Sequence, residues 1–264
     1  MKRICAVVFW LLLSTVAWGQ VHLRKLVLKP HEVYELKGTD ILVVDSLIMM
    51  ESSKIILNKL KPANFIHAKA AVFHKGSYID GRGVVGLKGQ KGADGTSPQN
   101  PCADGGSGAT GADGTYGGHG TNLSMYIGDI YFKGNLTIDV SGGDGGEGGD
   151  GGNGGGGGPG TRICKGGHGG DGGNGSAGGN GGNSGTLTLV APRIPELRIM
   201  LGDKIMVNSY GGNGGLGGEG GGRGLSGLSP VGNNKLDGKA GKKGAKGKDG
   251  LPGKPGAINV QDKS

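Results

Sequence analysis

The chain has 264 residues, of which 65 are glycine and only 5% are aromatic, and its formal net charge is +8 at pH 7. So few large apolar side chains exclude a conventional hydrophobic core for the whole chain, and this composition by itself is typical of a disordered protein. The glycines, however, recur at every third position in six blocks, and a disordered linker has no need of such a register.

The first predicted element is a secretory signal peptide over residues 1–19. A basic start precedes an apolar run from Ile4 to Trp18, and the small residues Ala17 and Gly19 stand where cleavage is expected. The run is short for a membrane span, and no later stretch is apolar enough to form one. We therefore expect a secreted protein, extracellular or at the cell surface, or in the periplasm or outer surface of a bacterium.

Short apolar strands between the glycine blocks repeat one pattern of two alternating arms around a polar or glycine corner. Repeats of such a unit predict a small parallel β-solenoid in an all-β or irregular chain. The fourth copy takes Leu197 and Ile199 as its first arm. The four predicted corners are Glu51–Ser53, Lys75–Ser77, Lys133–Asn135 and Gly202–Asp203. The predicted solenoid part covers residues 20–82 and continues through 121–141, 186–210 and 257–260.

The glycine blocks have the period of a polyproline-II-type helix, which has three residues per turn. The blocks come in pairs between copies of the strand unit, so each pair is predicted to leave the solenoid and return to it. Outgoing and returning blocks then form the two layers of a glycine-helix bundle. The predicted hairpins cover residues 83–120, 142–185 and 211–256.

The third residue of the Gly-Gly-X triplets forms what we call the X row, and this row is predicted to face solvent. An acidic part of it, Asp144, Glu147 and Asp150, has calcium binding as an alternative, and a solvated face is the favoured interpretation. His119 and His168 lie in similar rows without the spacing of a zinc site. No metal or other cofactor is predicted.

Two cysteines follow the signal peptide, Cys102 between the first and second blocks and Cys164 between the third and fourth. One disulfide is the simplest prediction for an oxidising compartment, and two free thiols are the alternative. If the blocks run out and back, both cysteines lie at the same distal end.

The loops at this distal end contain the side-chain variety that the glycine blocks lack. Loops on a rigid scaffold are the usual place for binding residues. Seven loop residues are therefore candidate recognition residues: Gln99, Asn100, Arg162, Lys165, Asn233, Asn234 and Lys235.

The sixth block is basic and is a weaker candidate site for binding a polyanion. The alternative is that its lysines keep an edge helix soluble or pair with acidic neighbours. Aromatic residues are not interleaved with them, so nucleic acid is not an expected partner. The lysines are Lys239, Lys242, Lys243, Lys246, Lys248 and Lys254.

Two resemblances extend these predictions. Gly238 to Pro255 and Gly86 to Gly95 resemble collagen repeats, which makes collagen-like triple-helical segments the alternative fold. The tract from Asp139 to Gly146 resembles glycine-helix bundles in the Obg GTPases, in receptor-binding tip adhesins of tailed phages and in springtail antifreeze proteins. The phage resemblance implies recognition by loops at the bundle tip.

Together these patterns predict a secreted, non-enzymatic structural or adhesive protein whose bundle displays recognition loops. No catalytic residues are identifiable, and no phosphate-binding loop of the Obg type occurs. The expected partner is a glycan or protein of a cell surface or matrix, and the oligomeric state is left open. Two alternatives are a collagen-like matrix or surface-layer component that assembles through edge helices, and a polyanion-binding protein.

Overall fold

The strands of the protein form a core of two sheets. The computed structural model describes residues 21–192, 198–230 and 236–262. The strands of these residues are β1 (Val21–Leu28), β2 (Val33–Glu35), β3 (Ile41–Met49), β4 (Lys54–Ile56), β5 (Ala63–Phe73), β6 (Ser77–Asp80), β7 (Asn122–Phe132), β8 (Leu136–Asp139), β9 (Leu187–Ala191), β10 (Ile205–Asn208) and β11 (Ile258–Asp262).

Odd-numbered and even-numbered strands lie in different sheets. The order in the first sheet is β1-β3-β5-β7-β9-β11, and in the second it is β10-β8-β6-β4-β2. Every neighbouring pair in both sheets is parallel. The chain thus adds one strand to each sheet per turn, which confirms the prediction of an all-β chain with parallel strands.

The hydrophobic core lies between the two sheets and consists of side chains in register. Phe73 of β5 is opposite Phe132 of β7, with ring centroids 5.7 Å apart. Met49 of β3 is opposite Phe73 on the other side, and both side chains are fully buried. Inward and outward residues alternate along β3, as expected for a half-buried strand. The apolar arms of the first three predicted copies therefore do form one continuous core.

The corners of successive turns stack on each other with residues in the left-handed region. Ser52, Gly76 and Gly202 have φ angles of 55°, 71° and 90°. The backbone N–H of Ser52 donates to the carbonyl of Lys75, which joins one corner to the next at 2.9 Å. Glycine at two of these corners avoids the steric cost of a side chain at positive φ.

The first arm of the fourth predicted copy is wrong. Ile199 lies in a single helical turn at residues 198–200 and is 79% exposed, and Leu197 lies outside the described residues. The strand that pairs with β7 is instead β9, which begins directly after a glycine block. The sequence patterns above also omit β1 and β2.

In the described part of the chain, no helix has the length and apolar character needed to span a bilayer.

Six glycine-rich segments without assigned helix or strand extend from the core, and together we call them the glycine array. Segments 1, 3 and 5 follow β6, β8 and β10 of one sheet, while segments 2, 4 and 6 precede β7, β9 and β11 of the other. Each sheet therefore continues into one row of segments. Segments 1 to 6 are residues 83–95, 105–120, 142–160, 166–185, 211–227 and 238–256.

Within each row, the first residue of a triplet donates its backbone N–H to the next segment. Segment 1 donates to segment 3 and segment 3 to segment 5, as in the bond from Gly86 to the carbonyl of Asp144 at 2.8 Å. Segment 2 donates to segment 4 and segment 4 to segment 6, as in the bond from Gly108 to the carbonyl of Asp171 at 2.8 Å. These bonds repeat every three residues.

Between the rows, the second residue of a triplet donates to the preceding segment. Gly146 donates to the carbonyl of Thr115 at 2.9 Å, and Gly179 donates to the carbonyl of Gly146 at 2.8 Å. Segments 3 and 4 are therefore each hydrogen-bonded to four neighbours. Segment 6, whose sequence resembles collagen, has the N–H of Gly241 bonded to the carbonyl of Gly224 in segment 5 of the same chain, at 3.0 Å.

Candidate functional site

A disulfide joins two connections at the distal end of the glycine array. Cys102 and Cys164 are bonded, with their Cα atoms 6.2 Å apart, which confirms the predicted pair. The N–H of Cys102 also donates to the carbonyl of Pro159 at 2.9 Å. The connection between segments 1 and 2 is thus fixed to the connection between segments 3 and 4.

The connection around Cys164 is a tight turn that directs its middle residues outward. Thr161 donates its N–H to the carbonyl of Cys164 at 3.0 Å, and the N–H of Cys164 donates to the Thr161 hydroxyl oxygen at 3.2 Å. Ile163 in the turn is 96% exposed. Arg162 and Lys165 are also exposed.

Four of the seven predicted recognition residues lie exposed on these two joined connections, namely Gln99, Asn100, Arg162 and Lys165. The other three, Asn233, Asn234 and Lys235, lie outside the described residues. The exposed Ile163 is not among the predicted residues, and its signal in the sequence is an apolar residue within a short polar loop. The recognition role of the four stays a prediction.

All six predicted polyanion-binding lysines lie exposed on segment 6. Lys246 forms an ion pair with Glu219 of segment 5 at 3.1 Å, and this hydrogen bond raises the pKa of Lys246. Among the described residues, the other five have no acidic partner within ion-pair distance. Pairing with acidic neighbours therefore accounts for one of the six lysines.

The side chains of the X row have a second role besides facing solvent. Asp144 accepts a hydrogen bond from the N–H of Asn213, and Asp171 accepts one from the N–H of Lys242, both at 2.7 Å. The Nδ1 atom of His168 accepts the N–H of Lys239 in the same way, at 2.8 Å. These acceptors satisfy an N–H that the triplets of the next segment do not use in the backbone bonds described above, so they hold that segment in the row.

The acidic side chains of the row on segment 3 also have partners within the chain. Asp150 accepts the N–H of Glu219 at 2.7 Å, and Glu147 pairs with Lys88 at 2.8 Å. Across the part of the chain that the structure describes, no group of three or more histidines, cysteines or acids is placed to hold a metal ion.

Removing the acceptors of segment 4 is expected to loosen segment 6. Each lost bond costs roughly 0.5–1.5 kcal/mol, or about fivefold in local opening. The variant replaces four X-row residues by alanine: Asp171, Asn174, Asn180 and Asn183. Hydrogen exchange should speed up at the amides that they accept, which belong to Lys242, Ala245, Leu251 and Lys254.

The control for this variant lies on the other row. Replacing Asp144 and Asp150 by alanine removes acceptors of Asn213 and Glu219 in segment 5, and exchange at the four amides of segment 6 should stay unchanged. Unchanged exchange in segment 6 of the first variant would contradict the acceptor role.

A buried acidic group lies where the strands of the second sheet end and the segments begin. The side chain of Asp80 is only 4% exposed, and its carboxylate lies 2.6 Å from Lys54 Nζ, 3.6 Å from Lys59 Nζ and 3.3 Å from Arg82 Nε. Burial by itself raises the pKa of Asp80, but hydrogen bonds from Lys54 and Arg82 outweigh it and hold the pKa well below its ordinary value. Asp80 is therefore a structural anion of the junction.

The next strand repeats this arrangement, since Asp139 of β8 is the register partner of Asp80. Its carboxylate accepts the Tyr78 hydroxyl at 2.8 Å and the N–H of Ser141 at 3.0 Å. Burial and the bond to Asp139 raise the pKa of Tyr78 above its ordinary value. An aspartate three residues before each of two glycine blocks is the sequence signal that could have found this junction.

The charge of Asp80 is expected to stabilise the fold in a pH-dependent way. Because its pKa is lower in the folded chain than the ordinary value of about 3.9, its contribution is complete above about pH 4 and is lost as the pH falls below that value. Asp80→Asn should lower the free energy of unfolding by about 2 kcal/mol at pH 7. Denaturant unfolding between pH 2 and 7 should show this difference shrinking in acid.

The more solvent-accessible pair of Asp45 and Lys69, 2.7 Å apart, provides the control. Asp45→Asn should change stability much less, because solvent screens exposed pairs. A pH-independent difference for Asp80→Asn would contradict the prediction.

Comparisons with known proteins place this chain in no family. No family model and no curated protein matches it. Among solved structures it is similar to the nine polyproline type II helical bundle springtail antifreeze protein from Granisotoma rainieri, with 26% identity over 65% of this chain and 96% of that chain, and a TM-score of 0.14. So low a TM-score carries no argument about fold or function.

Proposed function

We propose that the glycine array is a two-layer bundle of polyglycine-II-type helices. Such helices have no internal hydrogen bonds, so their N–H and C=O groups are available to neighbours, and their period is three residues. The backbone hydrogen bonds between neighbouring segments, which recur at every third residue in both rows, support this geometry. In the described residues, the glycines with positive φ are Gly38, Gly76 and Gly202, all outside the six segments.

We infer that the protein is a secreted, non-enzymatic structural or adhesive protein that presents recognition loops at the end of this bundle. The observation that carries the inference is the Cys102–Cys164 bond, which fixes two loops whose side chains are exposed. Fixing a loop before binding lowers the ordering cost of binding. A disulfide is also compatible with an extracellular location.

The distal loops are tested by changing their exposed side chains and leaving the disulfide intact. The tip variant replaces Gln99, Asn100, Arg162, Ile163 and Lys165 by serine or glycine. We expect it to fold normally and to lose adhesion to cells and to glycan arrays that the unchanged protein binds.

The matched control changes exposed residues at the corners, which lie at the other ends of the strands. It replaces Lys29, Glu51, Lys75 and Lys133 by serine and should keep full adhesion. Unchanged adhesion of a folded tip variant would overturn recognition by the loops. Loss of adhesion in both variants would overturn it as well.

A further inference from the structure

We propose that segment 6 binds a linear acidic polysaccharide along its length, which is a second binding surface beyond the distal loops. The surface, which we call the lysine edge, consists of Lys239, Lys242, Lys243, Lys248 and Lys254 together with Arg223 of segment 5. The structure supports this through unpaired charge, through the straightness of the segment and through the absence of aromatic residues.

Within the described residues, the cations of the lysine edge form no ion pair. Segment 6 contains six lysines and one acidic residue, Asp249. Among the described residues, Lys246 has the acidic partner Glu219, and the five lysines of the edge have none within ion-pair distance. A row of exposed like charges raises the local concentration of a polyanion and strengthens its binding.

Arg223 adds a further positive charge near the Lys239 end of the edge, and the sequence patterns did not single it out. Its neighbours Gly221 and Gly224 accept hydrogen bonds from Gly244 and Gly241 of segment 6, both at 3.0 Å. The exposed Arg223 therefore lies alongside the triplet that contains Lys242 and Lys243. This cluster is the most basic part of the edge.

The backbone holds most of these charges in one line, since Lys239, Lys242, Lys248 and Lys254 each follow the glycine of a triplet, with Lys243 at the third position beside them. Segment 6 donates to segment 5 through its glycines, and it accepts from segment 4, as in the bond from Gly172 to the carbonyl of Lys242 at 2.8 Å. On the proposed helix geometry, successive triplets are about 9 Å apart and Lys239 to Lys254 spans about 46 Å. An extended polymer with a regular charge repeat fits such a line.

The chemistry of the edge favours a polysaccharide over a single-stranded nucleic acid. Binding of single strands combines a basic groove with aromatic side chains on which the bases stack. Segment 6 contains no aromatic residue. Contacts from lysine to sulfate or carboxylate groups need no such stacking surface.

The test measures binding of the purified full chain to immobilised heparin, with neutral dextran as the blank. The edge variant replaces Lys239, Lys242, Lys243, Lys248 and Lys254 by glutamine. We expect its affinity at 0.1 M NaCl to fall about tenfold or more, with a shallower dependence on salt because fewer counterions are released. The same five positions changed to arginine should keep the binding, since the charge is retained.

The control variant removes the same number of charges from the strand core. It replaces Lys25, Lys29, Lys61, Lys75 and Lys133, all exposed, by glutamine and should retain most of the affinity. The tip variant should also bind heparin, which separates this proposal from the one on the distal loops. Equal losses in the edge and core variants would overturn the proposal, as would no binding above dextran. Equal competition by single-stranded DNA of the same charge would overturn the choice of polysaccharide.

Discussion

Replacing Gly155 by alanine is expected to lower the free energy of unfolding by about 3 kcal/mol or more, while alanine at the next residue, Gly156, is tolerated. A Cβ atom at Gly155 would lie well under 3.0 Å from the carbonyl oxygen of Thr96, whereas at Gly156 the nearest atoms are 3.8 Å away. Forcing a methyl group against backbone costs typically 1–3 kcal/mol and more where the backbone cannot move. Here Gly155 is held between neighbours on several sides.

Thermal and denaturant unfolding of the two variants provide the measurement. Gly156→Ala keeps the N–H that donates to the Ser97 hydroxyl at 2.9 Å, and it reduces the entropy of the unfolded chain, so a change within about 0.5 kcal/mol or slight stabilisation is expected. Gly221 and Gly222 form a second pair with a smaller contrast. A Cβ at Gly221 would overlap with the carbonyl of Gly152, whereas a Cβ at Gly222 would lie 3.1 Å from Asn153 Oδ1, a side-chain atom that can shift by a few tenths of an ångström. Similar losses at both members of a pair would contradict the packing.

Removing the disulfide is the other change with a large expected effect. Cys102 and Cys164 are 62 residues apart in sequence, and the loop-entropy relation gives about 4 kcal/mol for a bridge of that separation. The double variant Cys102→Ser and Cys164→Ser should therefore unfold at lower temperature and lower denaturant concentration than the unchanged protein.

Reductant supplies the control for this prediction. Adding dithiothreitol should lower the melting temperature of the unchanged protein toward that of the serine variant, and it should not affect the variant itself. Mass spectrometry without reduction should find the peptides of Cys102 and Cys164 linked. Equal melting temperatures with and without the bond would show that it constrains the chain little.

Much of the strand core could be predicted because its signal is local. An apolar arm, a corner and a second arm recur close together, so Lys75–Ser77 and Lys133–Asn135 were recognised as corners. The prediction of the fourth copy is wrong because it takes the apolar residues nearest to the Gly202 corner as the first strand of that copy. The true strand, Leu187–Ala191, is separated from its corner by intervening residues and is recognised only by its pairing with β7.

The contacts of the glycine array could be predicted only in part. The period of three indicates which residues lack space for a side chain, and it placed Asp144 and Asp171 on an outer row. Their role as acceptors for Asn213 and Lys242 depends on which segments become neighbours, and these pairs are 69 and 71 residues apart in sequence. Neither composition nor spacing contains that information, since it follows from the order of the strands.

Because strands of the core continue into glycine segments, the length of the segments sets the distance between the distal loops and the strand core. The number of core turns sets how many segments stand side by side, and the number of triplets sets how far they extend. On the proposed helix geometry, one triplet added to all six segments would carry Cys102 and Cys164 about 9 Å farther from the core with every pairing kept in register. A triplet added to one segment alone would offset that segment from its neighbours. A change in the length of one glycine segment therefore has to be matched in the other segments of the array.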